Sequence, residues 1–139
     1  MHHLTRLLSP VVNKLNTWGL DKWDMLALRL GLGVVLLYAG FSIIANPVAW
    51  IGFVPQFVEN FYPRESALIL HAFFDLFLGA GLLLGWFLPV VSILTFFNLT
   101  SILVLSGVDD VTFRDIGLSF GALALFFRTL TKPRENIQN

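Results

Sequence analysis

The sequence predicts an all-α fold, a transmembrane four-helix bundle preceded by an N-terminal amphipathic interfacial helix. Of its 139 residues, 56% are hydrophobic and 13% are charged, whereas soluble domains average about 25% charged residues. A helix of about 20 residues crosses the hydrocarbon core of a bilayer, and shorter spans suffice where their ends are anchored. The charges avoid four stretches that fit this length, roughly Met25–Ala45, Ala67–Trp86, Val90–Leu105 and Ile116–Phe127.

The first twenty residues predict a helix that lies in the membrane interface. They lack the continuous apolar core and small-residue cleavage site of a signal peptide. Polar residues lie on one face of this segment. The apolar residues recur at helical spacing on the other face and are Leu4, Leu7, Leu8, Val11, Val12, Leu15 and Trp18. This pattern is typical of an amphipathic helix, and a frayed polar tail is the alternative. The predicted domains are this helix (residues 1–20), a four-span membrane domain (21–130) and a polar cytoplasmic tail (131–139).

The distribution of basic residues predicts that both termini lie in the cytoplasm. Three basic residues precede the first span and three follow the last: Arg6, Lys14 and Lys22, then Arg128, Lys132 and Arg134. Two of the connections carry only Arg64 and Arg114 against five acidic residues. The positive-inside rule gives this orientation. The expected location is a bacterial-type inner (plasma) membrane, which the chain crosses several times. The formal net charge of zero gives no indication of a nucleic-acid partner.

Several residues mark the expected helix ends. Pro89 suits the first turn of the third span and Gly107 its end. Thr112 and Asp115 have the spacing of a capping box at the start of the fourth span. These positions define the predicted boundaries.

Small and polar residues predict how the spans pack, because helices in lipid associate through close backbone contact. The small residues are Ala27 and Gly31 with Gly33 nearby, Gly81 with Gly85, and Gly117, Gly121 and Ala124. The third span differs, since polar residues recur every three positions: Ser92, Thr95, Asn98 and Ser101. This polar face is expected to look into the bundle.

The connection between the first two spans is long and apolar, and it is broken by Pro47, Pro55 and Pro63. A segment of this composition is not expected to extend into water. It predicts a short helix that lies on the outer face, or dips into it, and covers a cavity between the spans. A simple interfacial anchor is the alternative.

Five ionisable residues inside or at the edges of the spans are the candidate ligand-binding residues: Arg29, His71, Asp75, Arg114 and Asp115. Ionisable groups at such positions are costly unless they are paired, so each is a functional-site hypothesis. His71 and Asp75 lie one turn apart on one helix face. Arg114 and Asp115 begin the fourth span at the same outer side. Arg29 lies nearer the cytoplasmic side, and its side chain either reaches toward Asp75 or extends to the interface.

Pairing decides the charge of this cluster. An isolated Asp75 is expected to bind a proton, whereas an arginine beside it would keep it ionised. His71 beside Asp75 is suited to hold a proton near neutral pH, and such a pair is suited to deliver protons to a bound quinone. Each residue also has a structural interpretation. Arg29 and Arg114 would extend to the lipid headgroups, Asp115 would cap a helix, and His71 and Asp75 would form a structural network.

The composition restricts other chemistry. The chain contains no cysteine, which excludes dithiol redox chemistry by this chain alone and metal sites built from thiolates. No cluster of Asp, Glu and His predicts a metal site, and no histidine pair has the spacing expected for a heme. The sequence therefore predicts no intrinsic cofactor, and any electrons would come from a partner protein.

Three motifs resemble the DoxX-like family of membrane proteins over about residues 26–127. The run Arg29-Leu-Gly-Leu-Gly-Val-Val-Leu-Leu-Tyr-Ala-Gly40 is similar to the first-span signature of that family. Asp75-Leu-Phe-Leu-Gly-Ala-Gly-Leu-Leu-Leu-Gly85 resembles its acidic residue and glycine-rich leucine stretch, and Arg114-Asp115-Ile-Gly-Leu resembles its charged entry to the fourth span. The resemblance implies a four-helix membrane bundle, an association with membrane redox assemblies, and a polar core of Arg29, Asp75, Arg114 and Asp115.

This sequence departs from the family pattern at Asp75, where glutamate is usual. The family that the motifs resemble takes its name from thiosulfate:quinone oxidoreductase subunits. This chain lacks a thiol for handling sulfur compounds, so thiosulfate oxidation by this chain is not expected. The leading hypothesis is a redox-associated membrane subunit that binds a quinone or a similar apolar ligand. The alternative is a non-catalytic accessory subunit of a larger membrane complex, and a small transporter or channel is a third interpretation. The expected partners are the lipid bilayer and other membrane subunits, or copies of the same chain, and whether the chain is an enzyme stays open.

Overall fold

The computed structural model describes residues 20–110 and 112–131, and within them every regular element is helical. The all-α prediction is therefore confirmed for this part of the chain. The predicted N-terminal amphipathic helix and the polar tail fall almost wholly on residues 1–19 and 132–139, outside the described residues. The elements, in chain order, are α1 (Leu20–Ala45), α2 (Pro47–Trp50), two 3-10 turns (Ile51–Phe53 and Gln56–Asn60), α3 (Arg64–Leu84), α4 (Leu88–Ser106) and α5 (Phe113–Leu130).

Three of these helices are long and apolar enough to cross a membrane: Trp23–Ala45 within α1, Arg64–Leu84 and Leu88–Ser106. Helix α5 has 18 residues but carries three charged side chains, Arg114, Asp115 and Arg128. Three spans are thus supported by length and composition, and membrane crossing by α5 stays a prediction.

The four long helices pack in two antiparallel pairs, α1 with α3 and α4 with α5, and the pairs meet where α1 touches α5 and α3 touches α4. Most buried apolar side chains form one cluster between them: Leu32, Leu36, Leu78, Leu82, Val91, Leu99, Ala122 and Leu125. A smaller cluster of Ile43, Leu68 and Ala72 lies where α1 ends and α3 begins. We call this the connection end, because residues 46–63 cross over it.

Helices α1 and α3 approach until their main chains touch. A Cβ atom on Gly79 would stand 2.9 Å from the carbonyl oxygen of Gly33 and 3.0 Å from the nitrogen of Leu37. A Cβ atom on Gly40 would stand 2.8 Å from the carbonyl oxygen of Ala72. Glycine at these three positions therefore sets the separation of the two helices, as small residues do in membrane proteins.

The predicted set of packing residues is only partly correct. Gly33 lies at the contact, but Ala27 is exposed and no atom of a neighbouring segment lies within 4 Å of a Cβ built on Gly31 or Gly117. The reason is geometric, since Gly33 and Gly40 are two turns apart on one face of α1 and Ala27 and Gly31 lie on another. Sequence spacing shows which residues share a face but not which face meets a neighbouring helix.

The helix ends confirm two predictions and correct a third. Pro89 lies in the first turn of α4, and Gly107 follows its end with φ +82°. Thr112 does precede α5, but it forms no capping box with Asp115. Its backbone is already helical, with φ −76° and ψ −18°, whereas a capping hydroxyl needs extended backbone to reach the third helical nitrogen. The Thr112 hydroxyl instead donates to the carbonyl of Gly107 at 2.8 Å and accepts from the Asp109 nitrogen at 2.9 Å.

Arg29 holds the end of α3. Its Nε and Nη2 atoms donate to the carbonyl oxygens of Leu82 and Leu83, both at 2.9 Å. The last carbonyls of a helix lack partners within the helix and carry its partial negative charge, so a guanidinium stabilises them in both respects. Gly85 follows with φ +77°, and a Cβ there would stand 2.6 Å from Arg29 Nη2. Arg29 thus caps the carbonyl end of α3, and the absence of a side chain at Gly85 leaves room for its guanidinium.

We expect Gly79→Ala to lower the free energy of unfolding by about 1–3 kcal/mol, because the added methyl group would collide with the main chain of α1. Gly31→Ala is the matched control. Its methyl group meets open space, and the gain in helix propensity, up to about 1 kcal/mol, favours the folded state. Reversible unfolding in mixed micelles measures both changes, and equal stability of the two variants would contradict this assignment of the helix contact.

We expect Arg29→Lys to lower the free energy of unfolding by about 1–3 kcal/mol. One ammonium group cannot present the fork that serves two carbonyls, and an acceptor without a donor is costly to bury. Arg114→Lys is the control, because that side chain is half exposed, and we expect it to stay within about 0.5 kcal/mol of the wild type. An Arg29→Lys variant as stable as the wild type would refute the capping role.

Candidate functional site

A cavity of about 220 Å³ lies at the connection end, between α1, α3, α4 and α5. Its walls are mainly apolar side chains of the four helices. The connection closes it from one side with five residues: Trp50, Phe53, Val54, Pro55 and Val58. The apolar connection therefore does line a cavity between the helices.

Four of the five predicted site residues line this cavity. His71 and Asp75 come from α3, and Arg114 and Asp115 come from the first turn of α5. The structure does not bring Arg29 to them. Its guanidinium binds carbonyls that lie about two turns beyond Asp75 along α3, and Arg29 is not among the residues that line the cavity.

Asp75 is the most deeply buried ionisable group of the cavity, with 2% of its surface exposed. Its Oδ1 accepts a hydrogen bond of 2.7 Å from Nδ2 of Asn98. Its Oδ2 lies 3.5 Å from Nε2 of His71, one turn earlier on α3. Each carboxyl oxygen therefore faces a different side chain, one on α4 and one on α3. Burial of a carboxyl group is tolerated where such partners are present.

His71 connects this buried carboxyl group with the cavity and with the surface. About 31% of its side chain is exposed, against 3% for the side chain of Asp75. Nε2 of His71 therefore links Oδ2 of Asp75 to the partly exposed edge of the site.

Arg114 and Asp115 form a second, looser pair at the start of α5. Their Nε and Oδ1 atoms are 3.7 Å apart, and 52% of the arginine side chain is exposed. An ion pair that is largely solvated contributes little to stability. Asp115 is itself buried, so the pair places a carboxylate inside the cavity and the guanidinium at its edge.

Asn98 is the residue of the site that sequence reasoning did not single out. The polar face of α4 is buried as predicted at Ser92, Thr95 and Asn98, whereas Ser101 is exposed. The hydroxyls of Ser92 and Thr95 donate to carbonyls one turn earlier in α4, those of Leu88 and Val91. The amide of Asn98 instead donates to Asp75 on α3. Asn98 is therefore the residue of this polar face that bonds to another helix. The available signal was its amide side chain, which extends further than the hydroxyls of serine and threonine that bond back along their own helix.

The arrangement combines an apolar volume with a small polar surface at one side. An apolar cavity of about 150 Å³ can bind benzene, so 220 Å³ accommodates one substituted ring. Among the described residues, no group of three His, Asp or Glu side chains could hold a metal ion. The described site therefore combines an apolar volume of ring size with the paired side chains of His71 and Asp75.

Comparison with known proteins supports the resemblance in the first three long helices. The DoxX family model matches residues 25–107, more than half of the chain. The match ends before α5, so Arg114 and Asp115 lie outside it. No curated protein and no solved structure matches the chain. The match covers the three helices that are apolar and long enough to span a membrane, and it includes Asp75, His71 and Asn98. The chain belongs to the DoxX family of membrane proteins.

Proposed function

We propose that this chain is a redox-associated membrane subunit that binds a neutral, ring-sized ligand of the quinone class in the cavity at the connection end. The observation that carries the proposal is the position of the buried Asp75 carboxyl group, with its two partners, at an otherwise apolar cavity. A purely structural polar cluster does not need an adjoining apolar volume. A binding site needs both, because most ligand pockets combine apolar walls with a few well-placed polar groups.

The size of the cavity favours a head group over a whole lipid. A volume of about 220 Å³ takes a single substituted ring, and an isoprenoid or alkyl tail would extend between the helices into the bilayer. Trp50 and Phe53 line the cavity and provide aromatic surface for such a ring, since offset and edge-to-face contacts stabilise aromatic pairs.

The polar groups supply protons. Reduction of a quinone adds two electrons and two protons, and its oxygens need donors during that change. In this proposal His71 takes up the two protons one after the other at its exposed edge, and the Nε2 and Oδ2 atoms of the His71–Asp75 pair hold each proton before it is passed to the quinone. The electrons would come from a partner redox protein in the same membrane. The proposed topology, with both termini in the cytoplasm of a bacterial-type inner membrane, places the cavity toward the outer side.

A second candidate is a non-catalytic accessory subunit. It is favoured by large aromatic side chains exposed on the helix surfaces, such as Phe73 and Phe77 one turn apart on α3, and Phe120 on α5. These faces suit contact with partner helices, with a second copy of the chain or with lipid. In that case the Asp75 cluster would hold α3 and α4 in register. Mass spectrometry of the protein purified gently from its membrane separates the two functions. Bound quinone supports the first, and a stoichiometric complex without quinone supports the second.

We expect Asp75→Asn to weaken binding of a short-chain 1,4-benzoquinone by at least about tenfold, because the carboxyl group that shares a proton with His71 is lost, and the proton donor to the quinone oxygen is lost with it. The amide keeps the shape of the side chain and an acceptor oxygen for Asn98, but it cannot carry a proton. Quenching of tryptophan fluorescence measures binding, because Trp50 lines the cavity.

Asp24→Asn is the matched control for this experiment, since Asp24 pairs with Arg128 at the opposite end of the helices at 3.2 Å. We expect it to bind the quinone as the wild type does. Equal binding by Asp75→Asn and the wild type would refute the site. No binding by the wild type, with loss of stability or of co-purifying subunits in Asp75→Asn, would favour the accessory function.

A further inference from the structure

The connection between α1 and α3 has little core of its own. Neither α2 nor the two 3-10 turns contains a buried residue. The backbone hydrogen bonds within the connection join residues three or four positions apart. Its apolar side chains rest on the smaller buried cluster, through Trp50, Ile51 and Val54. Segments with few buried contacts and only local hydrogen bonds open at lower free energy than the core.

Among the described residues, Arg64 makes the strongest attachment of the connection to the helices. Its Nε donates to the carbonyl oxygen of Val54 at 3.0 Å, and its Nη2 donates to the carbonyl oxygens of Ile51 and Val54 at 2.7 and 2.5 Å. Hydrogen bonds from a charged donor are about twice as strong as neutral ones. One side chain therefore ties the first 3-10 turn, and Val54 that follows it, to the start of α3.

The position of Arg64 in α3 supports a role outside the helix. It is the first residue of α3, where the helix dipole disfavours a positive charge and favours a negative one. Glu65, next in sequence, is favourable there. Helix formation therefore does not account for an arginine at this position, whereas its three hydrogen bonds to the connection do.

Two weaker attachments complete the closure. The hydroxyl of Ser106, at the end of α4, donates to the carbonyl oxygen of Phe53 at 2.7 Å. The indole nitrogen of Trp50 donates to the hydroxyl of Ser42 in α1 at 3.2 Å. Both bonds join neutral groups, and each is worth less than the contacts of Arg64.

The other walls of the cavity resist opening. Helices α1 and α3 touch along their main chains at Gly33 and Gly79 and again at Gly40 and Ala72. Parting them would break the main buried cluster, whereas moving the connection breaks its three attachments and uncovers only the smaller one. Movement of the connection is therefore the less costly way to open the cavity.

We infer that the connection is a lid over the cavity and that Arg64 is the latch that holds it closed. Pro47 and Pro63 stand at its two ends, and Pro55 divides it between the two 3-10 turns. The lid would open by swinging these short pieces away from Ile43 and Leu68. The identity of the ligand that the lid admits rests on the proposed function, but the movement of the lid does not.

The absence of cysteine from the chain allows a direct test. Ile43→Cys places a thiol beneath the lid, because Ile43 is buried, lines the cavity and belongs to the cluster that the lid covers. Leu78→Cys is the control, since Leu78 is fully buried in the main cluster and reacts only when the helices separate. Each thiol is labelled in detergent with a small charged methanethiosulfonate. Each cysteine variant is compared with the same variant that also carries Arg64→Gln.

We expect Arg64→Gln to raise the labelling rate of Cys introduced at position 43 by about tenfold or more and to leave that at position 78 unchanged. This factor corresponds to the loss of hydrogen bonds from a charged donor. Glu65→Gln, a change of charge at the neighbouring residue, should alter neither rate. Ser106→Ala should give a smaller increase at position 43, about fivefold. Unchanged labelling at position 43 in Arg64→Gln would overturn the proposal, and so would equal increases at both positions.

The exchange kinetics of a short-chain 1,4-benzoquinone then test the lid and the proposed ligand site independently. We expect Arg64→Gln to raise the association and dissociation rates together, with less effect on their ratio. If the quinone does not bind to any variant while labelling behaves as expected, the proposed function fails and the lid stands. If the quinone binds but its exchange rates and the labelling are insensitive to Arg64, the lid fails and the ligand site stands.

Discussion

Burial of the Asp75 carboxyl group constrains the rest of this structure. A carboxyl group in an apolar interior costs several kcal/mol unless its oxygens find partners. Asp75 finds them on two elements, Asn98 of α4 and His71 of its own helix. Because a shift of α3 against α4 by one turn would move Asn98 about 5 Å away, the hydrogen bond fixes the register of these helices. The register in turn decides which side chains surround the cavity.

The two arginines in or beside α3 follow a different rule from the acidic residues. Arg29 donates to the carbonyls that end α3, and Arg64 donates to the carbonyls of the connection before it. Neither is paired with a carboxylate in the described structure. Carbonyls at helix ends and in irregular turns are the acceptors that lack backbone donors, and a forked guanidinium can satisfy two of them at once. These two arginines thus stabilise the end of α3 and the connection before it. The acidic side chains of the cavity have other partners: Asn98 and His71 for Asp75, and the exposed Arg114 for Asp115.

Composition was sufficient to predict the helical class, and hydropathy located α1, α3 and α4 to within a few residues. Polarity alone also identified the buried face of α4, because serine, threonine and asparagine in an apolar helix have few other places to lie. Arg29 could not be assigned, since a long side chain near a helix terminus reaches carbonyls, a carboxylate or the interface equally well. The predicted capping box of Thr112 and Asp115 was wrong because the spacing of two residues does not reveal the backbone angles of the first one. The predicted helix contact at Gly31 was wrong because the periodicity of a sequence shows which residues share a helix face, but not which neighbouring helix that face meets.

Under the proposed function, the charges of the cavity determine what chemistry it permits. Asp75 with His71, and Asp115 with Arg114, can each be electrically neutral as a pair. An uncompensated charge in a membrane interior is costly, so an electron added to a ligand there would favour uptake of a proton in the same place. His71 is the group that can supply it, because it is partly exposed and also faces Asp75. The short side chain of Asp75 keeps the carboxyl group close to its own helix, beside His71 one turn away. The pair can then hold one proton between them while the lid excludes water from the ring.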